Sequence, residues 1–270
     1  MIVADDGVID IRNVTKTYAT RDGQCITAVR NLHARIEPGQ FVFLLGPSGC
    51  GKSTVLNMLA GFEKPTDGEI LLSGTPIGGP DSRRTVVFQD VQGSLFPWMT
   101  VQENVEFGLK MAGTQRRTRQ ARANALLSLV GLQAFSSRMP FELSGGMRQR
   151  VQIARGLAID PQILLMDEPF GALDAQTRAL LQSELERIWQ ETKKTIIFVT
   201  HDILECVRLA DRIIVFSRGP NARVLRDICV PNARPRNPMS GAFSDLTEEI
   251  DLLLHTPGTS ARLERALNNS

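Results

Sequence analysis

Four short apolar runs punctuate the chain at 41–45, 163–166, 196–199 and 213–216, each bounded by glycine, proline or polar residues. They are continuous rather than alternating, as strands are when both faces of a parallel sheet are covered. Between them lie stretches of helical periodicity, Ala175 to Glu191 and Ile203 to Leu209. Apolar strands interleaved with helices predict an α/β fold with a mainly parallel sheet. The first forty residues behave differently. Segments 8–18 and 26–36 alternate polar and apolar positions across the polar stretch Ala19-Thr-Arg-Asp-Gly23, which predicts a small antiparallel subdomain leading into the main sheet. From about 96 to 158 the pattern is mostly helical, a helical subdomain inserted between strands. Its basic run Arg116-Arg117-Thr118-Arg119 reads as a solvated helix face or as a functional patch. Residues 1–230 are therefore expected to form the main domain and 231–270 a linker and short tail. The linker reading rests on Pro231-Asn-Ala-Arg-Pro-Arg-Asn-Pro238. Beyond it Phe243, Leu246, Ile250 and Leu253 share one helical face, with Asp245 and Glu248 spaced like a capping box.

Composition narrows the class. A chain of 270 residues can bury a substantial core as one large domain, or one domain with appendages. Its formal net charge of +2 gives no ground for a nucleic-acid partner. Cys25, Cys50, Cys206 and Cys229 have neither CxxC nor Cys/His spacing, which reads as reduced thiols rather than disulfides or a zinc site. The N-terminus MIVADDGVID carries acids where a secretory leader has bases, so no leader is expected. No apolar run approaches the ~20 residues of a bilayer span, so none is expected to cross a membrane.

Gly46-Pro-Ser-Gly-Cys-Gly-Lys-Ser53 fits G-x-x-x-x-G-K-[ST], directly after the strand-like run 41–45 and before a segment, Thr54 to Ala60, that can continue as a helix. Gly46, Gly49 and Gly51 let the loop curl so that successive N–H groups converge on phosphate oxygens, and a helix N-terminus adds partial positive charge. Pro47, Ser48 and Cys50 complete the loop, Cys50 as a small residue in a tight turn. In this pattern Lys52 reaches the β- and γ-phosphates, Ser53 supplies an oxygen to Mg²⁺, and Thr54 sits near the α-phosphate. The four fixed positions would match by chance in roughly one chain in a hundred of this length, and the strand–helix context lowers that further. The loop's specificity stops at nucleoside triphosphate.

Ile163-Leu-Leu-Met-Asp-Glu168 is an apolar strand ending in two acids. Asp167 is placed to hold Mg²⁺ and Glu168 to act as general base toward an attacking water. Thr195-Ile-Ile-Phe-Val-Thr-His-Asp202 ends a second strand with His201, a candidate for positioning that water. Gln89, closing the strand-like Thr85-Val-Val-Phe-Gln89, is a candidate contact to Mg²⁺ and water.

Leu143-Ser-Gly-Gly-Met-Arg-Gln-Arg150 separates the P-loop classes. Taken alone it is a turn with Ser144 as N-cap before a cationic helix. It also resembles the signature motif of ATP-binding cassette (ABC) proteins, and the order of motifs resembles that family's over residues 8–218. Walker A at 46–53 is followed by Gln89, the signature, Walker B at 163–168, Gly171-Ala-Leu-Asp174 and His201. Tyr18, the only tyrosine, stands where the family places an adenine-stacking aromatic. The resemblance implies an ATPase using ATP and Mg²⁺, two chains packed head to tail as a homodimer. Ser144, Gly145 and Gly146, with Asp174 nearby, would complete the site built on the partner's Lys52. It implies a peripheral position on the cytoplasmic face of the inner membrane, beside transmembrane permease subunits and, indirectly, a periplasmic or lipid-anchored substrate-binding protein.

Leu95-Phe-Pro-Trp-Met-Thr-Val101 followed by Glu103-Asn-Val105 is similar to the corresponding loop of nitrate/sulfonate/taurine importer ATPases, with Phe96 in place of their usual leucine. Phe96 and Trp98 read either as core of the helical subdomain or as apolar surface that receives a helix of the membrane subunit. The cassette of an exporter or lipid-transport system is the alternative. Long coiled-coil ABC ATPases are excluded by the compact interval between Lys52 and Ser144, and intact Glu168 and His201 argue against a non-catalytic switch.

Overall fold

The computed structural model describes residues 6–255 except 90, 172 and 232, and leaves the side chains of 91 and 92 undescribed. The described residues fall into two compact units, 6–79 with 197–255, and 80–196.

The first unit opens with β1 (Ile9–Ala19) and β2 (Cys25–Ile36), long antiparallel strands in which Ile9 and Ile11 alternate inward and a register shift between Ile11 and Val14 precedes buried Val14. Next come β3 (Phe41–Leu45), α1 (Lys52–Ala60), β4 (Asp67–Leu72) and β5 (Thr75–Pro76). The four strands β2-β1-β4-β5 form one antiparallel sheet.

The second unit begins with β6 (Arg84–Val87), ending two residues short of Gln89, which lies in the bend beyond rather than closing the strand. A short α2 (Val91–Ser94), α3 (Val101–Met111), α4 (Arg116–Leu129) and α5 (Gly145–Ala158) follow. β7 (Ile163–Asp167) pairs parallel with β6, and α6 (Ala175–Thr192) closes the unit. α5 lies close to the strands because Gly156 has no side chain: a Cβ there would be 3.3 Å from Leu164 and Thr85. Buried Val101 and Val105 of α3, Ala123 and Leu127 of α4, and Val151 and Ala154 of α5 supply its apolar interior.

β8 (Thr195–Thr200) starts at the end of the second unit and continues into the first, where α7 (Ile203–Leu209), β9 (Arg212–Phe216), β10 (Val224–Cys229) and α8 (Gly241–His255) follow. In the first unit β3 runs parallel to β9, and β10 adds antiparallel to β9's other edge. All five residues of β3 are buried, and Phe43 stacks on Phe198 of β8 at 4.6 Å between ring centroids. Each such buried phenylalanine contributes roughly 2–3 kcal/mol.

The C-terminal helix requires one correction. α8 begins at Gly241, so Asp245 and Glu248 lie inside it and do not form its capping box. The start is marked instead by Ser240, whose hydroxyl accepts from the Phe243 N–H at 3.3 Å. Phe243 and Ile250 are buried on the expected face.

Candidate functional site

The phosphate loop belongs to the first unit. β3 delivers the chain to Gly46, and α1 starts at Lys52 with Gly51 as an N-cap that offers no side-chain hydrogen bond. The N-terminus of α1 carries partial positive charge, which suits an anion in the loop. Gly51 has φ +92°, and a Cβ there would meet Val29 at 2.6 Å, so only glycine fits on both counts. Lys52 is buried, its ammonium donating to Gly46 O (2.7 Å) and Pro47 O (2.9 Å), which draws it over the loop. Cys50 is fully buried, and burial pushes its thiol up despite the nearby Lys52 charge. It is a packing residue of the turn, not an activated nucleophile.

Tyr18, near the end of β1, donates its hydroxyl to Glu63 Oε2 at 2.5 Å. Burial first, then that carboxylate, raise the phenol's pKa. Burial opposes ionisation of Glu63, but hydrogen bonds from Tyr18, Lys16 and Asn57 outweigh it and hold Glu63 below the ordinary carboxylate range. His201 is exposed just beyond β8, on a turn made rigid at both ends. Thr200 donates to Glu205 at 2.8 Å, and Asp202 caps α7 by accepting from the N–H groups of Leu204 and Glu205.

The second unit carries the remaining residues. Asp167 ends β7, and Glu168 follows with φ +41°, a left-handed conformation that costs a non-glycine residue about 1–2 kcal/mol and turns the chain sharply after the strand. The Gly171 N–H returns to Glu168 O at 3.1 Å. A Cβ placed on Gly171 would lie 3.5 Å from Gln89 Nε2 and 3.7 Å from Glu168 Oε2, so the amide and the carboxylate converge there. Asp174 caps α6 by accepting from the Thr177 N–H at 3.0 Å, which lowers its pKa. Ser144 caps α5 by accepting from the Met147 N–H at 3.3 Å, with Gly145 and Gly146 in the first turn and Arg148 donating to Leu143 O.

Glu63 lies outside the motifs, whereas Asn104 belongs to the importer-like segment Glu103-Asn-Val105. The fully buried Asn104 amide donates to the carbonyls of Phe96, Met99 and Thr100 and accepts from the Phe96 N–H. It fixes the loop that presents Trp98, 69% exposed, while Phe96 packs on Phe107 at 4.5 Å. In the sequence Asn104 stands inside the importer-like segment, with nothing along the chain to show what its amide bonds. In the basic run, Arg119 bonds Glu106 at 2.9 Å and is structural. Arg116 lines a groove of about 650 Å³ with Trp98, Phe107, Glu103 and Lys110.

A strand–phosphate loop–helix element, together with an Asp-Glu pair at the end of a parallel strand, defines a P-loop nucleotide-binding protein. The chain belongs to the ABC transporter family, whose pattern its residues 29–171 match. It is 44% identical over 242 residues to an uncharacterised ABC transporter ATP-binding protein of Methanocaldococcus jannaschii, covering 90% of this chain and 89% of that one. It is 42% identical over 262 residues to the taurine import ATP-binding protein TauB of Roseobacter denitrificans, covering 96% and 92%. Its fold is similar to that of the dimeric ATP-binding cassette MJ0796 in a post-hydrolysis state bound to ADP and Pi. That match has a TM-score of 0.70 and 35% identity, and covers 83% of this chain and all of the other. Among the described residues no helix is long and apolar enough to cross a membrane.

Proposed function

We propose that this chain binds and hydrolyses ATP as one of two cassettes that drive import of a small sulfonate- or oxyanion-like solute through separate permease subunits. The observation that carries the reading is the phosphate loop. Gly49 and Gly51 hold left-handed turns, Lys52 is drawn over it, and the α1 N-terminus has no side-chain cap. These features fit a polyphosphate.

ATP with its Mg²⁺ supplies the phosphoanhydride bond that is broken. The loop N–H groups, Lys52 and Thr54 bind the phosphates, Ser53 and Asp167 hold the cation, and Tyr18 stacks on the base. Glu168 accepts the proton of the attacking water, and Gln89 and His201 orient that water. Ser144, Gly145 and Gly146 lie at the start of α5, where N–H groups and helix dipole suit an anion. They would bind the γ-phosphate held by the partner's Lys52, with Asp174 keeping the adjoining α6 in place. The TauB resemblance favours import over the exporter reading and taurine-like cargo over other solutes. Exposed Trp98 and the groove beside it suit a cytoplasmic helix of a permease, which would place the chain peripherally at the cytoplasmic face of the inner membrane. A substrate-binding protein would deliver the solute from the other side.

Glu168→Gln should bind ATP with ordinary affinity, accumulate as a nucleotide-bound dimer and lose steady-state turnover by at least about a hundredfold. Nucleotide affinity, sedimentation and phosphate release measure the three effects. Full turnover by this variant would remove Glu168 from the mechanism.

A further inference from the structure

Tyr18 is held from more than one side. Its hydroxyl bonds Glu63 at 2.5 Å, and Lys16 Nζ lies 5.0 Å from the ring centroid, over one face. Lys16 and Tyr18 share a face of β1 because residues i and i+2 of a strand point the same way. Lys16 also reaches Glu63 (3.3 Å) and Lys64 O (2.9 Å), closing a triangle of phenol, carboxylate and ammonium. The other Glu63 oxygen accepts from Asn57 Nδ2 at 3.3 Å, and Asn57 belongs to α1, the helix that starts at Lys52. The aromatic ring is therefore tied to the helix of the phosphate loop, with Lys16 over one of its faces.

We propose that Glu63 is a positioning residue for nucleotide binding: with Lys16 it locks the Tyr18 ring so that one defined face receives a purine base. The inference rests on reading Tyr18 as the base-stacking residue. A charge-assisted O–H···O⁻ bond and a cation–π contact restrict the ring before ligand arrives, so less side-chain freedom is lost on binding. Glu63 and Lys16 touch no phosphate in this scheme; they act through Tyr18.

The test uses the full chain. In Glu63→Ala, KM for ATP should rise about fivefold with kcat unchanged, because binding must then immobilise a ring that is free beforehand. Affinity for inorganic tripolyphosphate, which has no base, should stay the same. Because the chain has a single tyrosine, ultraviolet absorbance of tyrosinate follows this residue alone, and its titration midpoint should fall when the carboxylate is removed. Glu63→Gln, whose amide oxygen still accepts from the phenol, should recover most of the KM but not the midpoint. An unchanged KM in Glu63→Ala, or an equal loss of tripolyphosphate affinity, would overturn the proposal. Tyr18→Ala separates the two layers. If it leaves KM for ATP unchanged, the base-stacking reading fails and the positioning role with it. If it raises KM while Glu63→Ala does not, only the positioning role fails.

Discussion

Asn104 carries a side-chain amide out of solvent, and its four hydrogen bonds all go to backbone groups of residues 96–100. Replacing it with alanine takes the acceptor from the Phe96 N–H and the donor from Met99 O, while Phe96 O and Thr100 O keep the N–H groups of Met99 and residue 104. Asn104→Ala should cost about 2–4 kcal/mol, because buried polar groups left unpaired lose more than the hydrogen bond itself. Urea denaturation followed by far-ultraviolet circular dichroism would measure it. Asn104 was legible as part of a similarity to importer loops, but its reason was not, since its partners depend on how the loop folds back onto α3. Cys50 is the opposite case. A small residue in a tight turn was readable directly, and the buried thiol agrees.

At the scale of elements, α3 begins with a reciprocal capping box. The Thr100 hydroxyl accepts from the Glu103 N–H at 3.2 Å, and Glu103 accepts from the Thr100 N–H at 2.8 Å. Thr100→Ala should destabilise the chain by about 1 kcal/mol at neutral pH. Those Thr100 bonds lower the pKa of Glu103, so the box's contribution is fully present above the unfolded carboxylate value and lost as pH falls through the folded one. The gap between wild type and Thr100→Ala, measured by urea melts, should therefore narrow below about pH 4. At α8 the equivalent spacing of Asp245 and Glu248 misled. An acid and a glutamate three apart also lie along one polar helix face, so the pattern cannot tell a first turn from a middle one. Gly146 shows what packing adds to a motif: a Cβ there would press 2.7 Å from the Thr177 Cγ2 of α6. Its smallness thus serves α5–α6 packing as well as the proposed anion site.

At the scale of the molecule, the proposed active site is divided between two chains. Neither Lys52→Ala nor Ser144→Arg homodimers should then hydrolyse ATP, whereas a mixture should regain activity because each heterodimer keeps one intact pair of halves. About one quarter of wild-type turnover is expected from an equal mixture by random pairing, if each site works alone. Phosphate release after subunit exchange measures it, and an inactive mixture with proven exchange would count against the shared geometry. The sequence by itself determined the class of protein. Strands buried on both faces, the glycine-rich loop and the Asp-Glu strand end are local patterns whose chemistry depends on neighbours within a few residues. Only the tertiary structure decided that Glu63 holds Tyr18 across 45 positions, that Gln89 and Glu168 converge at Gly171, and that Asn104 shapes the Trp98 loop. Those pairings arise where distant segments pack together, and no periodicity along the chain records which side chains will meet there.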